Sequence, residues 1–160
     1  MIKSQMELLE LQKSWKSGFA RETGRILVCA GTGCVANGSL KVYENLLEEV
    51  KQRGAYISVQ MLLENETSGT TVVKSGCHGF CEMGPLVRVE PAGILYTKVK
   101  PEDAAEIVTA LLEAKEPVER LLYKHPVSGE HYAEESEIPF YKHQTRNVLS
   151  HCGVIDAEDI

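Results

Sequence analysis

Between residues 3 and 19 apolar side chains recur every three or four positions, at Leu8, Leu11, Trp15 and Phe19, with Glu7, Glu10, Lys13 and Lys16 between them. That period predicts an amphipathic helix with one face to bury. Trp15, the only tryptophan, falls on this face, as a packing anchor on the main domain or a contact for a partner subunit. Gly24 interrupts the pattern. The run Arg25-Ile26-Leu27-Val28 is too short for a helix and is bounded by glycine, which predicts a buried strand leading to Cys29. Residues 29–38 read as a loop rich in glycine. Ser39 or Asn37 can cap the helix that follows, Leu40, Tyr43, Leu47 and Val50 form its apolar stripe, and Gly54 stands where a left-handed C-cap is expected.

Residues 56–63 alternate roughly, with Ile57, Val59 and Met61 on one side, and predict a second strand; the polar residues 64–70 predict a turn. Thr71-Val72-Val73-Lys74 is a short third strand that delivers Cys77. Leu86-Val87-Arg88-Val89-Glu90, the turn Pro91-Ala92-Gly93 and the run Ile94-Leu95-Tyr96-Thr97-Lys98-Val99 predict a hairpin. Pro101, with Glu102 and Asp103 behind it, opens a last helix whose buried face is Ala104, Ile107, Val108, Leu111 and Leu112. The order predicts an α/β sandwich around a small mixed sheet, with thioredoxin-like topology as its most economical version. From Lys115 onward Pro117, Pro126, Ser128, Gly129 and Pro139 break the pattern and acids cluster at Glu134, Glu135 and Glu137, which predicts an extended connector. Apolar residues return between Phe140 and Cys152, and residues 156–160 read as the start of a helix that is cut short.

Composition narrows the class. The 160 residues make one domain of ordinary size with an appended segment. A net charge of −6 with no basic tract argues against a nucleic-acid partner. No apolar run is long enough to span a bilayer, and residues 1–24 lack the pattern of a signal peptide. The expected compartment is therefore the reducing cytoplasm, where cysteines at fixed spacings act as metal ligands or redox groups more often than as structural disulfides. An odd count of five cysteines also fits a disulfide framework poorly.

Two stretches carry the candidate chemistry. Cys29-Ala30-Gly31-Thr32-Gly33-Cys34-Val35-Ala36-Asn37-Gly38 and Gly76-Cys77-His78-Gly79-Phe80-Cys81-Glu82-Met83-Gly84-Pro85 each place two thiols in a glycine-lined loop after an apolar run. A [2Fe–2S] cluster asks for four thiolates, two per iron. Glycine lets the backbone approach such a cluster, and amides at Gly31, Gly33, Gly76 and Gly79 can point at sulfur. Tetrahedral zinc also takes four thiolates, although its knuckles usually use two-residue gaps and the gaps here are four and three residues. Free thiols or a redox disulfide remain a third reading, without the Cys-x-x-Cys of a thioredoxin dithiol. His78 is expected to face solvent or to stand behind the ligands, since four cysteines already fill a site. Cys152 lies far outside both loops.

The two loops resemble the cluster loops of thioredoxin-like [2Fe–2S] ferredoxins. More closely, they resemble the N-terminal domain of the NADH-binding flavoprotein (beta) subunit of multimeric, electron-bifurcating iron-only hydrogenases and complex I-like NADH dehydrogenases. The resemblance covers roughly residues 1–115 and extends to Glu119-Arg120-Leu121-Leu122-Tyr123; Pro139-Phe140-Tyr141-Lys142 and residues 146–155 are similar to the start of the flavin domain of complex I flavoproteins. It implies an α/β, thioredoxin-like [2Fe–2S] ferredoxin fold with an N-terminal helix over 1–24, the cluster domain over 25–115, a connector over 116–137 and the start of a truncated flavin domain over 138–160. It implies Cys29, Cys34, Cys77 and Cys81 as ligands and one-electron transfer as the function, with a zinc-stabilised interaction module as the rival. FMN and NAD are expected only in a downstream region absent here, so no catalysis is expected of this chain alone. The partners implied are other subunits of a multimeric oxidoreductase or hydrogenase, reached through a cluster or a flavin, with a homodimer as a further option.

Overall fold

A computed structural model describes residues 4–19, 22–56, 68–148 and 150–152. Helix α1 spans Gln5–Phe19, strand β1 Glu22–Cys29, helix α2 Thr32–Ala36, helix α3 Ser39–Gln52 and strand β2 Gly69–Ser75. Strands β3 (Val87–Glu90) and β4 (Ile94–Tyr96) follow, then a helical stretch through Pro101–Asp103, α4 (Ala104–Thr109) and Ala110–Ala114. Four strands form one mixed sheet in the order β2-β1-β3-β4, with β1 parallel to β2 and antiparallel to β3. The second strand expected over 56–63 lies outside the described residues apart from Tyr56, which makes a lone parallel bridge to Thr70. The packing role of Trp15 likewise falls outside the described side chains.

The period of two in the strands divides the core into two faces. On one, Ile26, Val28, Val72, Val87, Val89 and Tyr96 meet Val42, Leu46 and Val50 of α3 and Ala104, Ile107 and Val108 of α4. On the other, Cys29, Leu86 and Leu95 gather with Phe80, Tyr123, Ile138 and Tyr141. Because β1 is central, both faces of its apolar run are covered, and residues 26–29 are at most 1% exposed. The α3 stripe is centred on Val42, Leu46 and Val50 rather than on the expected set: Leu40 points outward, while Tyr43 and Leu47 are half-buried. Gly38 precedes the helix at φ +89 with no side-chain cap, so neither Ser39 nor Asn37 plays the expected part. Gly54 does end the helix at φ +65. The amides of Ala55 and Gly54 return to the carbonyls of Val50 and Lys51, which is the Schellman pairing. Gly24 does not break a helix but sits inside β1, where a Cβ would lie 3.3 Å from both Leu111 methyls.

Residues 116–137, expected as an extended connector, pack against the sheet instead. The Thr97 amide donates to the Leu121 carbonyl at 2.8 Å, the Leu95 amide to Ala133 at 2.9 Å and the Glu135 amide to Gly93 at 3.1 Å. Between these points a small ribbon pairs β5 (Tyr123–Lys124) with β6 (His131–Tyr132). The buried phenol of Tyr96 accepts the Val118 amide at 3.1 Å. The physical reason is the sheet's second face: Cys29, Leu86 and Leu95 need cover, and Tyr123, Ile138 and Tyr141 supply it as isolated anchors spaced too irregularly to show any period. We expect Leu121→Ala, at a site 4% exposed, to destabilise the domain by about 2–5 kcal/mol in urea unfolding followed by circular dichroism. A change under about 0.5 kcal/mol would mean that this segment only rests on the surface.

Candidate metal centre

The topology brings the two cysteine loops together. Strands β1 and β2 are parallel neighbours, and their last paired residues are Cys29 and Ser75. Both loops therefore leave the same end of the sheet. The first turns at Gly31 into the short helix α2, which carries Cys34 inward; sequence periodicity gave no sign of this helix because it is only five residues long. The second passes Cys77, reaches Cys81 at the start of a 3₁₀ turn over Cys81–Met83, and returns through Gly84. Cys29 and Cys34 are buried, and Cys77 and Cys81 are exposed.

Glycine makes this approach sterically allowed. A Cβ on Gly31 would lie 2.9 Å from Cys77 Cβ, one on Gly33 would lie 3.2 Å from Cys81 Sγ, and one on Gly84 would lie 2.7 Å from Cys34 Sγ. Each loop thus uses its glycines to admit cysteines of the other. Gly31 and Gly33 were legible in this role. Gly84 was not assigned it, because nothing in the sequence says that it faces Cys34. The cradle that these glycines leave, lined by thiols, fits a sulfide-bridged cluster that tolerates no side chain between the loops.

The thiols associate as pairs. A hydrogen bond from the Cys34 thiol holds Cys29 down at about 5, against burial and with help from the peptide N–H groups of His78 and Gly31. The same bond, together with burial, pushes Cys34 up. Burial also raises Cys77, although the Gly79 amide donates to its Sγ at 3.3 Å. Among the described residues no three Cys, His or acidic side chains converge as they would around a single ion. Each loop supplies two thiols, and the four together are the number that two sulfide-bridged irons ask for.

His78 does not face solvent. It is 0% exposed, with Nε2 2.9 Å from Ser75 Oγ and Nδ1 3.9 Å from Glu135 Oε1. Burial works to raise Glu135, but His78 and the guanidinium of Arg88 outweigh it and hold the carboxyl below its usual range. His78 thus braces the second loop from behind. Met83 is half-buried and packs against the cluster of residues that contains Cys29 and Cys34. Cys152 lines a cavity of about 460 Å³ with Arg88, Glu135 and Arg146, and none of the four loop cysteines is among its lining residues.

A mixed sheet with four thiols at one end of its parallel strands defines a small domain with a candidate thiolate metal centre. The family model of thioredoxin-like [2Fe–2S] ferredoxins matches residues 17–112, and the chain belongs to that family. A 2Fe–2S ferredoxin of Aquifex aeolicus is 37% identical over 89 residues, which cover 56% of this chain and 71% of that protein. One from Clostridium pasteurianum is 33% identical over 88 residues, 55% of this chain and 76% of that protein. A solved thioredoxin-like [2Fe–2S] ferredoxin from Aquifex aeolicus superimposes with a TM-score of 0.52 at 30% identity, covering 69% of this chain and 99% of its own. The chain is a [2Fe–2S] electron-transfer domain, and no described helix is long and apolar enough to cross a membrane.

Proposed function

We propose that this domain relays single electrons inside a multimeric, cytoplasmic NAD(H)-dependent oxidoreductase of the hydrogenase or NADH dehydrogenase kind, next to a flavin that exchanges hydride with NAD(H). The observation that carries the electron-relay part is the interleaving of the two loops, Gly31 on Cys77, Gly33 on Cys81 and Gly84 on Cys34. The flavoprotein setting is supported by the likeness of residues 139–142 and 146–155 to the start of a flavin domain.

Cys29, Cys34, Cys77 and Cys81 would hold the cluster, which when bound supplies reversible one-electron chemistry. The chain does the rest. The amides of Gly31, His78 and Gly79 donate to thiolate sulfur and so favour the state with more negative charge. Cys29 and Cys34, backed by Leu86 and Leu95, close the inner side to water. Cys77 and Cys81 lie on the exposed edge, the side from which a partner comes within transfer distance.

A hydride carries two electrons and the cluster takes one, so a flavin must stand between NADH and this domain. Anaerobically purified protein is expected to be red-brown, with about two irons and two sulfides per chain, to bleach with dithionite, and to stay unbleached by NADH until an NADH-oxidising flavoprotein is added. One zinc per chain with no visible absorption would reject the cluster. Stoichiometric bleaching by NADH alone would place a hydride-accepting site on this chain and reject the need for a flavin partner.

A further inference from the structure

The peptide unit that joins His78 to Gly79 is held at both ends. Its N–H, on Gly79, donates to Cys77 Sγ at 3.3 Å. Its carbonyl, on His78, accepts two hydrogen bonds from far along the chain, from Tyr141 Oη at 3.1 Å and from Arg146 Nη2 at 2.5 Å. Gly79 has φ +82, and a Cβ there would lie 3.2 Å from Arg146 Nη2, so the guanidinium rests directly on the loop. Arg146 also lies over the Tyr141 ring, 4.8 Å from its centroid, and its Nε bonds the neutral side chain of Gln144 at 3.3 Å. Both donors lie beyond residues 17–112, the span that the family model matches.

The docking of this segment is built, not incidental. Phe80, between the two cysteines of the loop, stacks on Phe140 with centroids 4.2 Å apart and meets Tyr141 edge-on at 5.7 Å. These ring contacts fix helix α5, Pro139–Lys142, against the loop and bring Tyr141 to the His78 carbonyl. Donors on a peptide carbonyl polarise the unit and strengthen its N–H as a donor. A stronger donor to ligand sulfur, and a positive charge beside it, stabilise the reduced centre, which carries one more negative charge.

We propose that Tyr141 and Arg146 are positioning residues that raise the reduction potential of the metal centre through the 78–79 peptide, so that docking of residues 139–146 sets the electron affinity of a site they do not ligate. The proposal rests on Cys77 being a cluster ligand. Changes in how this segment is seated, such as contact with a neighbouring domain or subunit, would be felt at the cluster through one peptide unit.

The test compares Arg146→Gln, Arg146→Lys and Tyr141→Phe with wild type in the full chain. Redox titration followed by electron paramagnetic resonance should give a more negative midpoint for Arg146→Gln, a smaller shift in the same direction for Tyr141→Phe, and a value for Arg146→Lys between Arg146→Gln and wild type. Iron and sulfide content should stay equal across the set. In metal-free protein, amide exchange over residues 77–81 should speed up at least about tenfold in Arg146→Gln, as expected for loss of a hydrogen bond to a charged donor. Tyr141→Phe keeps the ring packing and loses only the hydroxyl, so it remains informative if Arg146→Gln folds poorly. Iron present at an unchanged potential in both Arg146→Gln and Tyr141→Phe would overturn the proposal alone. Wild-type protein that takes up no iron and sulfide would overturn the site and the proposal together.

Discussion

Cys77→Ser is expected to lose most of the bound iron, or to shift the visible and paramagnetic spectra to a form unlike wild type, and Cys29→Ser, Cys34→Ser and Cys81→Ser should do the same. The loss follows from ligand chemistry: a serine oxygen is harder than a thiolate and stabilises the reduced iron differently. The size should depend on place. Cys29 and Cys34 are 1% exposed, so a serine there also buries a hydroxyl, and those variants should lose stability as well as metal. Cys77 and Cys81 are exposed, so their serine variants should fold normally and show the ligand effect in isolation. Cys152→Ser is the control, because Cys152 lies outside both loops and lines a cavity to which none of the four loop cysteines contributes. Iron, sulfide and spectra measured on the five variants decide the point: equal damage from Cys152→Ser and Cys77→Ser would show that the four ligands are wrongly chosen.

Gly84→Ala should abolish or cripple cluster assembly while barely changing backbone energetics. Gly84 has φ −74 and ψ 161, a conformation open to any residue, so an added methyl meets no torsional penalty. What it meets is Cys34 Sγ at 2.7 Å and the Cys81 carbonyl at 3.3 Å. Either the second loop withdraws or Cys34 is displaced, and both spoil a donor set that must close to fractions of an ångström. Gly38→Ala is the complementary case. Gly38 has φ +89 and nothing within 4 Å of the Cβ position, so alanine there should cost about 1 kcal/mol in unfolding and leave iron binding intact. Iron content and urea midpoints of the two variants should therefore separate in opposite directions. A Gly84→Ala protein with full iron and a wild-type spectrum would refute the close-approach account of that glycine.

Much of the fold could be read from local pattern. The apolar run ending in Cys29 is a strand because it is short, continuous and flanked by glycine, and the structure buries it on both faces. The hairpin of β3 and β4 follows from two apolar runs about a Pro-Ala-Gly turn. Gly54 ends α3 because only a residue at ease with positive φ lets the last amides turn back. Other features were illegible for equally physical reasons. Leu40 looked like part of a buried stripe, yet a helix's inward face depends on what it packs against, and Leu40 is 42% exposed. For His78 the sequence left two places open, facing solvent or behind the ligands, and could not choose, because one polar residue between cysteines carries no mark of the Ser75 and Glu135 side chains that enclose it.

By itself the sequence pointed to the class and to the candidate chemistry: four thiols in two glycine-rich loops, each following an apolar run, suggest a metal centre, and the element order suggests a thioredoxin-like α/β domain. These are short-range properties, encoded by residue type and spacing, and they survive without knowledge of any distant contact. Only the tertiary structure decided how the loops meet, which glycine admits which cysteine, and that residues between Val118 and Arg146 pack on the sheet and the second cysteine loop. Those outcomes depend on the parallel pairing of β1 with β2, which sets both loops at one end of the sheet. They depend as well on a second sheet face that had to be covered by whatever apolar side chains the later chain could bring to it. The anchors that do so, Tyr123, Ile138 and Tyr141, sit among prolines and acids at no fixed period, and their value lies in where they land rather than in the pattern they make.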